Sequence, residues 1–360
     1  MPPRFSSLDG VRGVAALIVV VMHVQPMISG HLFEHGYLMV DLFFLMSGFV
    51  LEHRYGERLA QGGQGAWFVG TRLLRLYPLA FLGLLLGAGV FGLQALLGRS
   101  TPADQCGGSL LLSVFFLPWL AGGLVAPFDG PAWSLECEFW VNCAFGYCAR
   151  HLSNTRLVVL VAVSGVFLGF AALGSGGLDG GNASHDPGRG GGDWAFLMGW
   201  ARIAFSFPLG LLICRLRPAG AQRKSTSPAI LLVVAILLFI SNVGLGTPAI
   251  YDLAIVGLVF PVLLIFCSSL TLPASVAKVC ARLGALSYGL YILHGPILVL
   301  FHSLEPTALP VGWRPYWFAC AGILSVAGSV AADKWIDSPV RRLVSGLGAR
   351  GAVRSLPLRV

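Results

Sequence analysis

Charge is what this 360-residue chain has least of. Only 11% of it is Asp, Glu, Lys or Arg, where a soluble domain carries roughly a quarter, while 56% is apolar. So few polar side chains cannot clothe a water-facing globule, and lipid is the solvent left. Other absences narrow the chemistry. The eight cysteines include no C-x-x-C pair, so neither a zinc site nor a disulfide framework is expected, with Cys106 alone placed in an outer loop. There is no G-x-x-x-x-G-K-S/T phosphate loop and no repeat of fixed period, and no metal or permanently bound cofactor is expected.

What is present is a series of long apolar runs. A helix needs about 20 mostly apolar residues to cross a bilayer. Ten stretches qualify: 11–29, 37–53, 76–97, 132–149, 157–174, 194–214, 228–246, 250–270, 284–303 and 315–336. The runs are continuous rather than alternating, which rules against barrel strands. The expected fold is therefore all-α, a polytopic transmembrane bundle of about ten spans. An eleventh stretch, 109–124, is assigned by charge. If it does not cross and the N-terminus is inside, most Lys and Arg fall on the cytoplasmic side, from Arg4 and Arg54 to Lys278 and the tail from Lys334 to Arg359. Only Arg99, Arg189 and Arg314 then lie outside, as the positive-inside rule asks. It is read as a re-entrant or interfacial helix, with both termini cytoplasmic. The net charge of +8 is thus a topology signal and not a nucleic-acid footprint.

The organisation expected is a membrane domain over 1–340 followed by a basic tail over 341–360. The first run contains His23 and lacks a small-residue cleavage site, so it reads as a retained span rather than a signal peptide. The Gly-rich segment 174–193 reads as an outer loop, and the sequon at Asn182 within it matters only in a eukaryotic secretory route.

Ionisable side chains inside a span are costly, so each is a functional candidate. Arg12 and His23 are separated by three turns plus about 20°, which puts both on one face of the first helix, about 16 Å apart along the axis. His23 is either a general base or a histidine bonded to a neighbouring helix. Arg72 and Arg75, at the inner start of the third span, are either positive-inside anchors or a clamp for a phosphate-rich ligand. In the segment GPAWSLECEFW, Trp133 suits the interfacial belt, Glu136 can snorkel, and Glu138, a turn deeper with Ser134 four residues before it, needs a partner. Ser287, Tyr288, Tyr291 and His294 form a polar stripe on the ninth span, while Asp41 and Ser47 make a smaller pair on the second. Asp41 reads either as a site residue or as a solvated one.

Taken in order, LDGVRGVAALIVVVMHV, DLFFLMSGFVL, RLLRLYP, GPAWSLECEFW and LSYGLYILHGP resemble the acyltransferase family 3 of multi-span membrane O-acyltransferases, over nearly the whole chain. Arg12 and His23 match that family's Arg-x10-His, Arg72 and Arg75 its Arg-x-x-Arg, and Glu138 the acid of its W-S-L-x-x-E. The resemblance implies His23 and Glu138 as catalytic, Arg12, Arg72 and Arg75 on the acyl-CoA side, and Asp41, Ser47, Trp133, Ser134, Ser287, Tyr291 and His294 as substrate-site candidates. It implies acyl-CoA, acetyl-CoA first, as a cytoplasmic donor substrate, a hydroxyl of a carbohydrate or glycosylated acceptor, and residence in a bacterial inner membrane. Val141-Asn142 stands where relatives usually continue toward Phe-Tyr. No hydrolase-like domain follows the last span, so a second acyl-handling domain is expected to be absent or separate. The rival class is a polytopic transporter of a polar solute, which would more often show paired broken helices in two related halves.

Overall fold

In lipid a backbone has no partner but itself, so long apolar segments close their own hydrogen bonds as helices. The computed structural model describes residues 5–25, 32–98, 103–117, 128–179, 191–217, 223–224, 227–244, 246–306 and 309–343. Its helices are α1 (Ser6–Val24), α2 (Met39–Ala60), α3 (Gly65–Leu96), α4 (Ala103–Val114), α5 (Ala132–Cys148), α6 (Asn154–Ser175), α7 (Gly191–Leu216), α8 (Ser227–Asn242), α9 (Pro248–Ala254), α10 (Phe260–Ser269), α11 (Ala274–Ser303) and α12 (Arg314–Ala332). A π-helical turn, Ile255–Val259, joins α9 to α10, and another, Asp333–Asp337, carries α12 on to Leu343. Strand is confined, among the described residues, to the short parallel pair Arg223–Lys224 and Leu270–Thr271. The expected all-α bundle is the observed one.

With α9–α10 counted as one, eight helices among the described residues are long and apolar enough to cross a membrane. Two more expected spans are shorter, α5 with 17 residues and α8 with 16. α4, with 12 residues, overlaps only the first part of the 109–124 stretch, and 118–124 lie outside the described residues. Cys106 lies in this helix rather than in a loop. α3 begins at Gly65, ahead of the apolar run at 76, so Arg72 and Arg75 lie within a continuous helix, just before its apolar stretch. The Gly-rich loop opens at Gly176, whose φ of 82° is the left-handed cap that stops α6. Asn182 and the tail beyond Leu343 lie outside the described residues.

Because lipid tails are as apolar as leucine, membrane helices gain from close approach of their backbones more than from hydrophobicity, and small residues permit it. A methyl group on Gly48 of α2 would stand 2.1 Å from the Phe207 carbonyl oxygen of α7, and one on Gly13 of α1 would stand 2.9 Å from the Leu283 carbonyl oxygen of α11. These two crossings, α2 with α7 and α1 with α11, form the centre of the bundle. Some 72% of the most apolar stretch of α2 and 67% of that of α1 is buried, against 28% for each of α3, α6 and α12. The latter three therefore turn most of their apolar surface to lipid.

Candidate active site

Two predicted faces meet. Arg12 and His23 on α1 both point at α11, where Ser287 and His294 receive them. Arg12 donates from Nε to Ser287 Oγ at 2.9 Å and from Nη2 to the Gly284 carbonyl at 2.7 Å, and pairs with Asp9 at 3.2 Å. One end of the seam is therefore cationic. Further along, the His23 and His294 rings stand edge to face, 5.0 Å between centroids. His23 Nδ1 bonds the Val19 carbonyl at 2.8 Å, and His294 Nδ1 the Leu290 carbonyl at 3.0 Å. A carbonyl can only accept, so each neutral imidazole carries its proton on Nδ1 and keeps the basic lone pair on Nε2. His294 is fully buried, and its Nε2 has no hydrogen-bond partner among the described residues.

A cavity of about 420 Å³ opens beside this seam, walled by α1, α2, α3, α5 and α11. It follows α2 from Val40 to Arg54, about 21 Å at 1.5 Å per residue. Its two ends differ in chemistry. Asp9, Arg12, His53, Arg54, Arg72 and Arg75 line one end, while Val40, Phe43, Phe44, Leu135 and Tyr291 line the other. Glu138 lies between them, accepting from Ser47 Oγ at 2.7 Å and facing Arg72 Nη2 at 3.4 Å. The partner that its depth demanded is thus a hydroxyl from α2 together with an arginine from α3. Arg72 Nε has no hydrogen-bond partner among the described residues. Arg75 contacts Asp337 in the π-helical turn after α12, and its guanidinium lies 5.3 Å from the Tyr288 ring centre.

Tyr291 separates the cavity from the histidines. Its hydroxyl shares a 2.7 Å bond with Ser134 Oγ, its ring meets Phe43 edge on at 5.6 Å, and the His294 ring lies 5.9 Å behind it. Of the candidates named from sequence, Arg12, Ser47, Arg72, Arg75, Ser134, Glu138, Ser287, Tyr288 and Tyr291 line the cavity; His23 and His294 stand one layer beyond it.

Two candidates belong elsewhere. Asp41 does not line the cavity beside Ser47 and is not solvated: it is fully buried and paired with Arg202 of α7 at 2.7 Å. Trp133 stands with this pair, the Arg202 guanidinium 5.4 Å from its ring centre. Glu136, expected to snorkel, is only 4% exposed, and its Oε2 has no hydrogen-bond partner among the described residues. It and the buried Asp129 line a second cavity of about 20 Å³, space for one water.

Sequence reasoning missed Asp9, Asp129, Arg202 and Asp337. Asp129 fits between helices at Gly83 and Gly295, its oxygens 3.0 and 2.8 Å from where a Cβ at each would lie. Asp-Gly-Pro reads locally as an ordinary turn. The one available signal was Arg202, a lone charge in the middle of an apolar run.

The model of a family described as an acyltransferase domain matches residues 5–334, with every motif above inside the match. The chain belongs to acyltransferase family 3. It is 39% identical over 186 residues to "Protein 2 in picA locus" of Rhizobium radiobacter, covering 48% of this chain and 96% of that protein. It is 32% identical over 154 residues to "Acyltransferase MdmB" of Streptomyces mycarofaciens, covering 39% of this chain and 38% of that protein. No solved structure matches. The protein is a membrane acyltransferase, an enzyme that needs an acyl donor and an acceptor.

Proposed function

We propose that this acyltransferase takes an acyl group, acetyl first, from cytoplasmic acyl-CoA and passes it to a hydroxyl of a carbohydrate or glycosylated acceptor on the far side of a bacterial inner membrane, with both termini cytoplasmic. The observation that carries this reading is the two-ended cavity. A phosphate-bearing thioester has one strongly anionic end and one small apolar end, and the cavity offers arginines at one end and Phe43, Phe44 and Leu135 at the other. At the apolar end the acyl group stands against Tyr291, with His294 and His23 behind it.

In direct transfer His23 Nε2 takes the acceptor's hydroxyl proton, the oxygen attacks the thioester carbonyl, and the carbon–sulfur bond breaks. The thiolate departs toward the arginines and takes a proton from cytoplasmic water, while His23 gives its proton back to solvent. In a two-step route the same lone pair attacks the carbonyl, the thiolate leaves as the carbon–sulfur bond breaks, and the acceptor hydroxyl then attacks the acyl-imidazole and loses its proton to water. Both routes use the same atom, and both require the Phe43–Tyr291 pair to part so that acyl carbon and imidazole meet. Glu138, held by Ser47 and Arg72, fixes the middle of the passage.

The test is transfer of radiolabel from acetyl-CoA, supplied to the cytoplasmic face of native-membrane vesicles, into their glycan fraction. Label in that fraction with the parent protein, and none with His23→Ala at equal membrane abundance, is the expected result. Vesicles that accumulate a polar solute and transfer no label would point to a transporter-like role instead.

A further inference from the structure

The three arginines that the family motifs assign to the donor side are already committed. Arg12 faces Asp9 at 3.2 Å, Arg72 faces Glu138 at 3.4 Å, and Arg75 is in contact with Asp337. Asp337 also takes Arg341 on its other oxygen. A carboxylate in contact cancels most of a guanidinium's field at the distance where a phosphate would bind, and displacing it costs the pair's own attraction.

Arg54 is different. It stands on α2 at the basic end of the same cavity, it is exposed, and it makes no ion pair among the described residues. Its recorded contact is with the Tyr55 ring, 5.5 Å away. It is also the lining residue farthest along α2 from the apolar end, about 21 Å from Val40. On a long thioester whose acyl group is seated near Tyr291, the phosphates would emerge beside it.

We propose that Arg54 reads the phosphates of the donor, while Arg12, Arg72 and Arg75, held by their carboxylates, shape the passage for the uncharged arm. This rests on the donor being an acyl-CoA. The shared chemistry is a phosphate oxygen, and either the diphosphate or the ribose phosphate of CoA supplies it.

Arg54→Gln is suited to the test because an exposed side chain can change without unfolding the bundle. Full-length protein in detergent is titrated with CoA, with dephospho-CoA and with pantetheine. The expected result is CoA binding weakened about tenfold or more, the loss of one charge-assisted contact, with pantetheine binding unchanged and Arg54→Lys recovering most of the affinity. A dephospho-CoA affinity insensitive to Arg54→Gln places the contact on the ribose phosphate; equal sensitivity places it on the diphosphate. Arg58→Gln is the control for net charge, since Arg58 bonds Gln64 and stacks on Trp67 outside the cavity. Unchanged CoA binding in Arg54→Gln overturns the inference, and so does an equal loss in Arg58→Gln. Failure of the parent protein to bind CoA at all overturns the donor reading itself.

Discussion

Two of the groups of charges among the described residues of this bundle have opposite characters. Around Asp41 everything is matched and sealed. Arg202 donates to both Asp41 oxygens and to the Tyr37 carbonyl, while the Tyr37 hydroxyl and the Leu178 amide both donate to Asp252. Asp41 and Asp252 are fully buried, Arg202 is 4% exposed, and none of the three lines the large cavity. Around Arg72 and Glu138 the same residue types border 420 Å³ of space, and one guanidinium nitrogen has no hydrogen-bond partner among the described residues. Both groups would be flagged by the cost of ionisable residues in lipid. The difference teaches that such a charge serves architecture when its partners saturate it, and chemistry when it faces a volume that a substrate can enter.

The largest effect is expected at the histidine pair. His23→Ala should lower acyl transfer by about 10²–10⁴-fold, the range of general-base catalysis, without changing unfolding temperature. Transfer at a tenth or more of the parent rate would move the base to His294, whose Nδ1 is likewise tied to a carbonyl and whose Nε2 keeps its lone pair.

Next comes the sealed group. Asp41→Ala leaves Arg202 buried without its counter-charge, a loss of about 3–5 kcal/mol, to be read from unfolding in detergent. The protein that remains folded should bind CoA normally. A parent-like unfolding midpoint would erase the contrast between the two groups.

In the open group, Arg72→Gln with Arg75→Gln unpairs Glu138 and Asp337 and so disturbs the passage for the uncharged arm, which should raise the apparent constants for CoA and for pantetheine alike by about tenfold. Donor titration of correctly inserted double mutant separates this from an anchoring role. An unchanged constant would return both arginines to the positive-inside rule. Together with the Arg54 titrations, it divides phosphate reading from the shaping of the passage.

The smallest effect is expected at Ser47. Ser47→Ala removes one hydrogen bond from a Glu138 carboxylate that keeps Arg72, so a loss of about 1 kcal/mol, or roughly fivefold in rate, is expected. A hundredfold loss would mean that the hydroxyl touches the reacting atoms.

Most of the helices and half of the seam were legible in the residues. Hydrophobic run length and the spacing of Arg12, His23, Ser287 and His294 are local quantities, computable from helix geometry alone. The start of α3 was not legible, because Gly65 to Arg75 is mixed in polarity and its helicity comes from packing: Phe68 is fully buried, with the Tyr55 and Phe145 rings against it. Glu136 was misjudged for a related reason. Snorkelling is the fate of a side chain near an interface, and only the neighbours of α5 decide whether water is within reach.

By itself, then, the chain's scarcity of charge and its long apolar runs determined an all-helical membrane bundle, and motif order determined its family. Which charges cancel and which remain available was decided by tertiary structure alone. Arg202 finds Asp41, Arg75 finds Asp337 and Ser47 finds Glu138 across large separations in sequence. No periodicity encodes such pairs, because the energy of a buried charge depends on what packs within a few ångströms of it and not on its neighbours along the chain.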